Sequence, residues 1–183
     1  GRETDSPGAE KGGRIARSVA RYHLVAFFCR PWSQVLDFPC GSGYAADVLV
    51  PLGVHYDGRE IDYPSVEYAR RMHGHDGMAT FAVGDLEHPD VGASRYDIIA
   101  CIEGLEHIEM SRHDPLIASL KSALRPGGIL VVSSPENILG ISGQSSHNPY
   151  HRGELTRNDF ESLLARHFFS ADIQILTDRA VLS

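Results

Sequence analysis

Val35-Leu36-Asp37-Phe38-Pro39-Cys40-Gly41-Ser42-Gly43-Tyr44-Ala45-Ala46 decides how this chain is read. The stretch opens as a short apolar strand, turns on two glycines and runs into a helix. Gly41 and Gly43 have no Cβ, so the backbone there reaches dihedrals closed to other residues and lets a ligand approach. The first N–H groups of the helix have no intrahelical acceptor and point into that space as a polar cradle. A strand, glycine turn and helix in this order form the nucleotide-shaped site of an α/β sheet. Gly41 to Ala46 also fits the loose G-x-G-x-x-A dinucleotide fingerprint, a weak signal by itself. Asp37, four residues before Gly41, shifts the balance. A carboxylate at the strand end repels a pyrophosphate and attracts the ammonium of an amino acid.

Outward from this stretch the pattern alternates. Residues 1–13 are polar and glycine-rich and are expected as a flexible arm, with one domain over 14–183. Ile15, Val19, Tyr22 and Ala26 follow helical spacing from Arg14 to Cys29. After the glycine turn, Tyr44–Leu52 reads as a helix stopped at Gly53, and Val54–Ile61 as a second strand. Pro64 suits the first turn of the next helix. Thr80–Val83 and the nearly all-apolar Tyr96–Ile102 are third and fourth strands, the latter suited to a strand covered on both faces. A helix over 112–124 ends at Arg125-Pro126-Gly127-Gly128, and Ile129–Ser133 is a fifth strand. A polar loop, 135–155, leads to a helix capped by Thr156, and Ser170–Leu176 is expected as a sixth strand. Ala180-Val181-Leu182 reads as the start of a seventh. The predicted fold is a three-layer α/β/α Rossmann-like sandwich with a mostly parallel sheet of six or seven strands.

The formal net charge of −7 argues against a protein that grips long nucleic acid by its phosphates. Cys29, Cys40 and Cys101 lack metal-site spacing and are odd in number, which points to reduced thiols and a cytoplasmic address. No apolar run approaches membrane-spanning length, so membrane insertion is not expected.

In a sheet of this kind the ligand lies across the carboxyl ends of the strands. Asp37, Glu60, Asp85 and Glu103 stand at four successive ends. Glu60 follows the glycine turn at the distance where a carboxylate takes ribose hydroxyls, and Asp85 offers an acceptor to the amino group of adenine. Four carboxylates suit a cationic sulfonium with an ammonium tail and suit a dinucleotide poorly. With these residues on view, the chain resembles the class I S-adenosylmethionine-dependent methyltransferases. Their D-x-G-x-G-x-G motif matches from Asp37, except that Pro39 replaces the first glycine. Gly58–Asp62, Tyr96–Ile99 and Leu124–Gly128 resemble further family motifs. The resemblance implies S-adenosyl-L-methionine as cofactor, contacted by Asp37, Phe38, Pro39, Cys40, Gly41, Gly43, Glu60, Ile61, Asp85, Leu86, Ile102 and Glu103.

Glu103-Gly104-Leu105-Glu106-His107 stands where the methyl group should be. The spacing puts Glu103, Glu106 and His107 on one side of a helical turn. Either His107 is a lone general base, or the three ligate a divalent cation, or the motif packs beneath the cofactor. The E-x-x-E-H pattern with a later loop histidine is similar to small-RNA 2′-O-methyltransferases, and ubiquinone-pathway O-methyltransferases share E-x-x-E-H. Carried over by position, the metal ligands are Glu103, Glu106, His107 and His151, with magnesium or manganese as the ion. His107, Glu103 and His151 are the catalytic candidates, and His147 is a second loop histidine. Tyr150 and Arg152 are expected at the substrate entrance. Arg14, Arg21 and Tyr22 either close over the site or form a solvated helix face. The Asn-Pro-Tyr-His-x-x-Glu loop (Asn148 to Glu154), with the Pro7–Gly12 arm and Arg21-Tyr22, resembles methyltransferases found beside glycosyltransferases, which implies O-methylation of a sugar or other vicinal diol in polysaccharide biosynthesis. The alternatives are RNA ribose 2′-O-methylation, N-methylation of a small amine, and a non-enzymatic dinucleotide-binding module. The partner is a small-molecule or glycan acceptor, and a homodimer is left open.

Overall fold

The computed structural model describes residues 9–74, 77–143 and 148–176, with side chains from residue 19 onward. Helix α1 (Ala9–Phe28) precedes the sheet and begins five residues before the expected Arg14. Strand β1 (Gln34–Asp37) leads through the glycine turn into α2 (Ala45–Leu49), which tightens to a 3-10 turn over Val50–Leu52. Gly53 ends that turn at φ +79°, a left-handed conformation that glycine adopts without strain. Then come β2 (His55–Glu60), α3 (Tyr63–His73) and β3 (Ala79–Val83). The Asp62 side chain caps α3 by accepting from the Ser65 N–H. After β4 (Tyr96–Ile102) a single 3-10 turn, Leu105–His107, precedes α4 (Met110–Ala123), β5 (Leu124–Ser133) and α5 (Arg157–Ala165).

All four strand pairings are parallel, in the order β3-β2-β1-β4-β5. The chain steps outward from β1 to β3 and then returns to the other side of β1. The topological switch therefore falls between β1 and β4, and the ligand crevice of such a sheet opens there. Side chains alternate between the two faces, as the two-residue strand period requires. Val35, Ile98 and Ala100 pack with α1, α2 and α3, whereas Leu36, Ile99 and Cys101 pack with α4 and α5. Two apolar cores and the sheet between them make the three expected layers.

The strand count departs from expectation. Five strands are present among the described residues. Ser170–Asp172 is a 3-10 turn, and residues 173–176 run without regular structure. Ile173 and Ile175 pack on the α4/α5 core. Apolar alternation there secures side-chain burial but does not supply a ladder partner. Ala180-Val181-Leu182 lies outside the described residues. A second departure is in β5, which begins at Leu124 instead of Ile129. The register slips between Tyr96 and Ile98, and this bulge absorbs Arg125-Pro126-Gly127-Gly128. No helix among the described residues is long and apolar enough to cross a membrane.

Candidate active site at the carboxyl rim

The glycine turn is fixed from two sides. A Cβ on Gly43 would stand 2.6 Å from the Cβ of Ala69 and 2.8 Å from the Phe81 ring, so the turn seats directly on α3 and β3. Gly41, at φ +55°, faces open space, with nothing within 4 Å of where its Cβ would be. The ligand cradle expected from the sequence would lie over this open face. Its N–H donates to Glu60 Oε2 at 3.0 Å, while Glu60 Oε1 accepts from Ile61 N–H at 3.0 Å and Asp62 N–H at 3.3 Å. Glu60 is fully buried. In this state it acts as the anchor of the turn, and its charge is matched by backbone donors.

Asp37 differs from expectation in the same direction. It has no exposed surface, and its two oxygens accept from the hydroxyls of Tyr22 (3.0 Å) and Tyr56 (2.5 Å). Burial raises its pKa to about 7 against the pull of both phenols. The carboxylate therefore ties α1 and β2 to the end of β1 beneath the cradle, and does not present an oxygen to the crevice. Tyr22, expected at a lid or on a solvated face, is a buried member of this triad.

The other residues expected to contact the donor distribute around the rim. Phe38, Cys40, Leu86 and Ile102 are buried, and the Phe38–Pro39 peptide is cis. Ile61 is exposed at the edge of the crevice. Asp85 borders a cavity of about 260 Å³ whose apolar walls include Phe38, Val83 and Val91. Its carboxylate accepts from Glu87 N–H and pairs with His88 Nδ1, each at 2.9 Å. A larger cavity of about 370 Å³, lined by Phe28, Trp32 and Asp97, lies at the opposite end of the strands, away from the cradle.

Beyond β4, Glu106, His107 and His151 come together, with one side-chain N or O atom of each within 4.8 Å of the others, an arrangement that could hold a metal ion. Glu106 is 1% exposed, and its Oε2 has no hydrogen-bond partner among the described residues. Burial, reinforced by the Glu103 charge, raises its pKa to about 8. His107 meets His151 edge to face at 4.9 Å between ring centroids. His151 Nδ1 lies 2.6 Å from Glu154 Oε1, and Glu154 is itself buried. Pairing with a carboxylate places the ring proton on Nδ1 and turns the Nε2 lone pair outward, where the Asn148 amide meets it at 2.9 Å.

Glu103 stands apart from this trio. Its carboxylate accepts from Ser133 Oγ at 2.8 Å and lies 3.6 Å from the Arg21 guanidinium. Its φ of +51° is uncommon for a residue with a Cβ, and the Ser133 carbonyl fixes it by accepting from the Glu103 N–H. Of the four expected ligands Glu106, His107 and His151 therefore converge and Glu103 does not, because the 3-10 turn begins after Glu103 and aims the two glutamates differently. His147 lies outside the described residues. Tyr150 is exposed at the mouth, and Arg152 is drawn away from it into ion pairs with Glu87 and Glu109.

Tyr56 and Ser133 were not read from the sequence as site residues, whereas Asn148 and Glu154 belong to the quoted Asn-Pro-Tyr-His-x-x-Glu loop pattern without having been given a role. Tyr56 and Ser133 sit on strands where their spacing marks them only as core or strand-end residues.

Residues 11–172 match the family profile described as a methyltransferase domain. The chain belongs to that methyltransferase-domain family. A probable S-adenosylmethionine-dependent methyltransferase of Mycolicibacterium smegmatis is 26% identical over 172 residues, covering 93% of this chain and 65% of its own. A ubiquinone biosynthesis O-methyltransferase of Haemophilus ducreyi is 30% identical over 109 residues, 55% of this chain and 44% of its own. This methyltransferase domain therefore spans less than two thirds of the length of either curated relative. Among solved structures, a TehB-like SAM-dependent methyltransferase from Corynebacterium glutamicum superposes with a TM-score of 0.63 at 20% identity, covering 86% of this chain and 80% of that one. That likeness shows the fold.

Proposed function

We propose that this methyltransferase domain transfers a methyl group from S-adenosylmethionine to one hydroxyl of a vicinal diol, a sugar first, with a divalent cation held by Glu106, His107 and His151. The donor would lie across the switch between β1 and β4, its carboxylate end over Gly41 and its adenine toward the Asp85 cavity. The acceptor oxygen attacks the sulfonium-bound methyl in line. The C–O bond forms as the C–S bond breaks, and the hydroxyl proton passes to solvent water, or to His107 in the metal-free reading, giving a methyl ether and S-adenosylhomocysteine. Holding the two reactants in line supplies most of what such a displacement needs.

The observation that carries the metal reading is the orphaned Glu106 Oε2. A buried carboxylate oxygen without a hydrogen-bond donor is costly unless something neutralises it. Two imidazoles beside it complete a mixed oxygen/nitrogen donor set that magnesium, manganese or zinc accepts. Glu154 orients His151 as an outer partner orients a ligand histidine. A bound cation would lower the pKa of the acceptor hydroxyl and align it. A second reading, in which His107 is a metal-free base, is favoured by the Asn148 amide that already occupies His151 Nε2.

Turnover on panels of sugars, ribose-terminated RNA and small amines, read by mass spectrometry with and without EDTA, separates these readings. Activity on diols that is lost in chelator and restored by Mg²⁺ or Mn²⁺ supports the cation. Chelator-insensitive activity that disappears in His107→Ala supports the base. Methylation of amines alone contradicts both.

A further inference from the structure

Arg152 makes contacts that neither the donor site nor the metal trio uses. Its N–H donates to the Glu106 carbonyl at 2.8 Å, and its guanidinium donates twice to the His107 carbonyl, at 3.2 and 2.9 Å. The same guanidinium reaches Glu109 Oε1 at 2.8 Å and Glu87 Oε1 at 2.6 Å. One side chain thus spans the 3-10 turn bearing Glu106 and His107, the start of α4, and the loop after β3. Glu87 lies in the turn that Asp85 caps: Asp85 accepts from Glu87 N–H and pairs with His88. Isolated exposed ion pairs hold little, but a planar guanidinium with several fixed acceptors sets geometry, which a lysine cannot reproduce.

We infer that Arg152 is a positioning residue that couples the donor side to the acceptor side: occupation of the Asp85 loop is transmitted through Glu87 and Arg152 to the placement of His107 and His151. The inference rests on the reading that the donor lies against Asp85, and it is independent of whether a cation binds. Arg152 directly follows His151, and its backbone N–H is bonded to the Glu106 carbonyl while its guanidinium is bonded to the His107 carbonyl, so both ends of the residue bear on the placement of the two histidines. Such coupling is reciprocal, so whatever orders the histidines strengthens donor binding by the same factor.

The test uses S-adenosylhomocysteine as the probe and ¹⁵N-labelled histidine side chains as the reporter, in metal-free buffer. In the natural sequence, saturating S-adenosylhomocysteine should shift the His107 and His151 imidazole resonances. Arg152→Gln and Glu87→Gln should each abolish most of that shift while leaving the direct S-adenosylhomocysteine affinity within about threefold. Arg152→Lys should restore little of it. A merely structural role would move melting temperature and leave the ligand-induced shift intact. Persistence of the shift in both glutamine variants, or its absence in the natural sequence when S-adenosylhomocysteine binds, overturns the coupling. Failure of S-adenosylhomocysteine to bind the natural sequence overturns the donor reading beneath it.

Discussion

At the scale of single residues, two carboxylates do unexpected work because they are buried. Asp37 carries a proton in the folded state up to about pH 7, whereas in the unfolded chain it releases it near its ordinary 3.8. Between those values the native state binds more protons than the unfolded one. Stability from this group is therefore present on the acid side and is lost as pH rises through about 7. Denaturation midpoints should fall between about pH 4 and 7 for the natural sequence, level off above about 7 as far as this group is concerned, and fall less for Asp37→Asn. An equal slope in both would remove Asp37 as the source. Glu60 has a different assignment: it holds three backbone N–H groups of the turn. Glu60→Ala should weaken S-adenosylhomocysteine binding by about 1–3 kcal/mol through loss of charge-assisted hydrogen bonds, measurable by titration calorimetry. His107→Ala, by contrast, should leave that affinity unchanged and eliminate turnover.

At the scale of elements, the acceptor side depends on how closely residues 148–155 lie on the turn that carries Glu106 and His107. Gly153 permits that approach. A Cβ there would stand 2.4 Å from the Ile108 carbonyl and 2.7 Å from His113 Nε2, a buried histidine already bonded to the Leu105 carbonyl. Gly153→Ala should lower stability by about 1–3 kcal/mol as an overpacking change and separate His151 from His107. Thermal melts with an activity assay check both effects. The sequence was most legible where an element is declared by local chemistry. Tyr96–Ile102 is a strand with the expected bounds, Thr156 caps α5 by accepting from Asp159 N–H, and Gly53 ends the turn after α2. Legibility failed where partners come from distant segments. Nothing near Asp37 in sequence announces Tyr22 and Tyr56 as its hydrogen-bond donors, 15 and 19 residues away. Nothing near Glu103 announces Ser133, and the spacing of E-x-x-E-H does not reveal that the turn starts only after Glu103. Ser170–Leu176 misled because apolar alternation satisfies burial without requiring a ladder.

At the scale of the whole molecule, the parallel sheet places the carboxyl ends of β1, β2, β3 and β4 on one rim, with the Gly41 turn after β1 and the turn bearing Glu106 and His107 after β4. The cradle is anchored from below by Glu60 and Asp37, and the Glu106, His107 and His151 cluster is pinned from the side by Arg152. A cation joining the cluster should raise the melting temperature, since a ligand that binds only the folded state stabilises it by mass action. Mn²⁺ or Mg²⁺ should therefore shift the melt of the natural sequence and not that of Glu106→Gln. The most direct measurement of the central claim is calorimetry of the purified protein with S-adenosylhomocysteine and, separately, with NAD. One-site heat is expected with S-adenosylhomocysteine, weakened in Glu60→Ala, and none with NAD. Silence toward S-adenosylhomocysteine together with a clear response to NAD would contradict the claim.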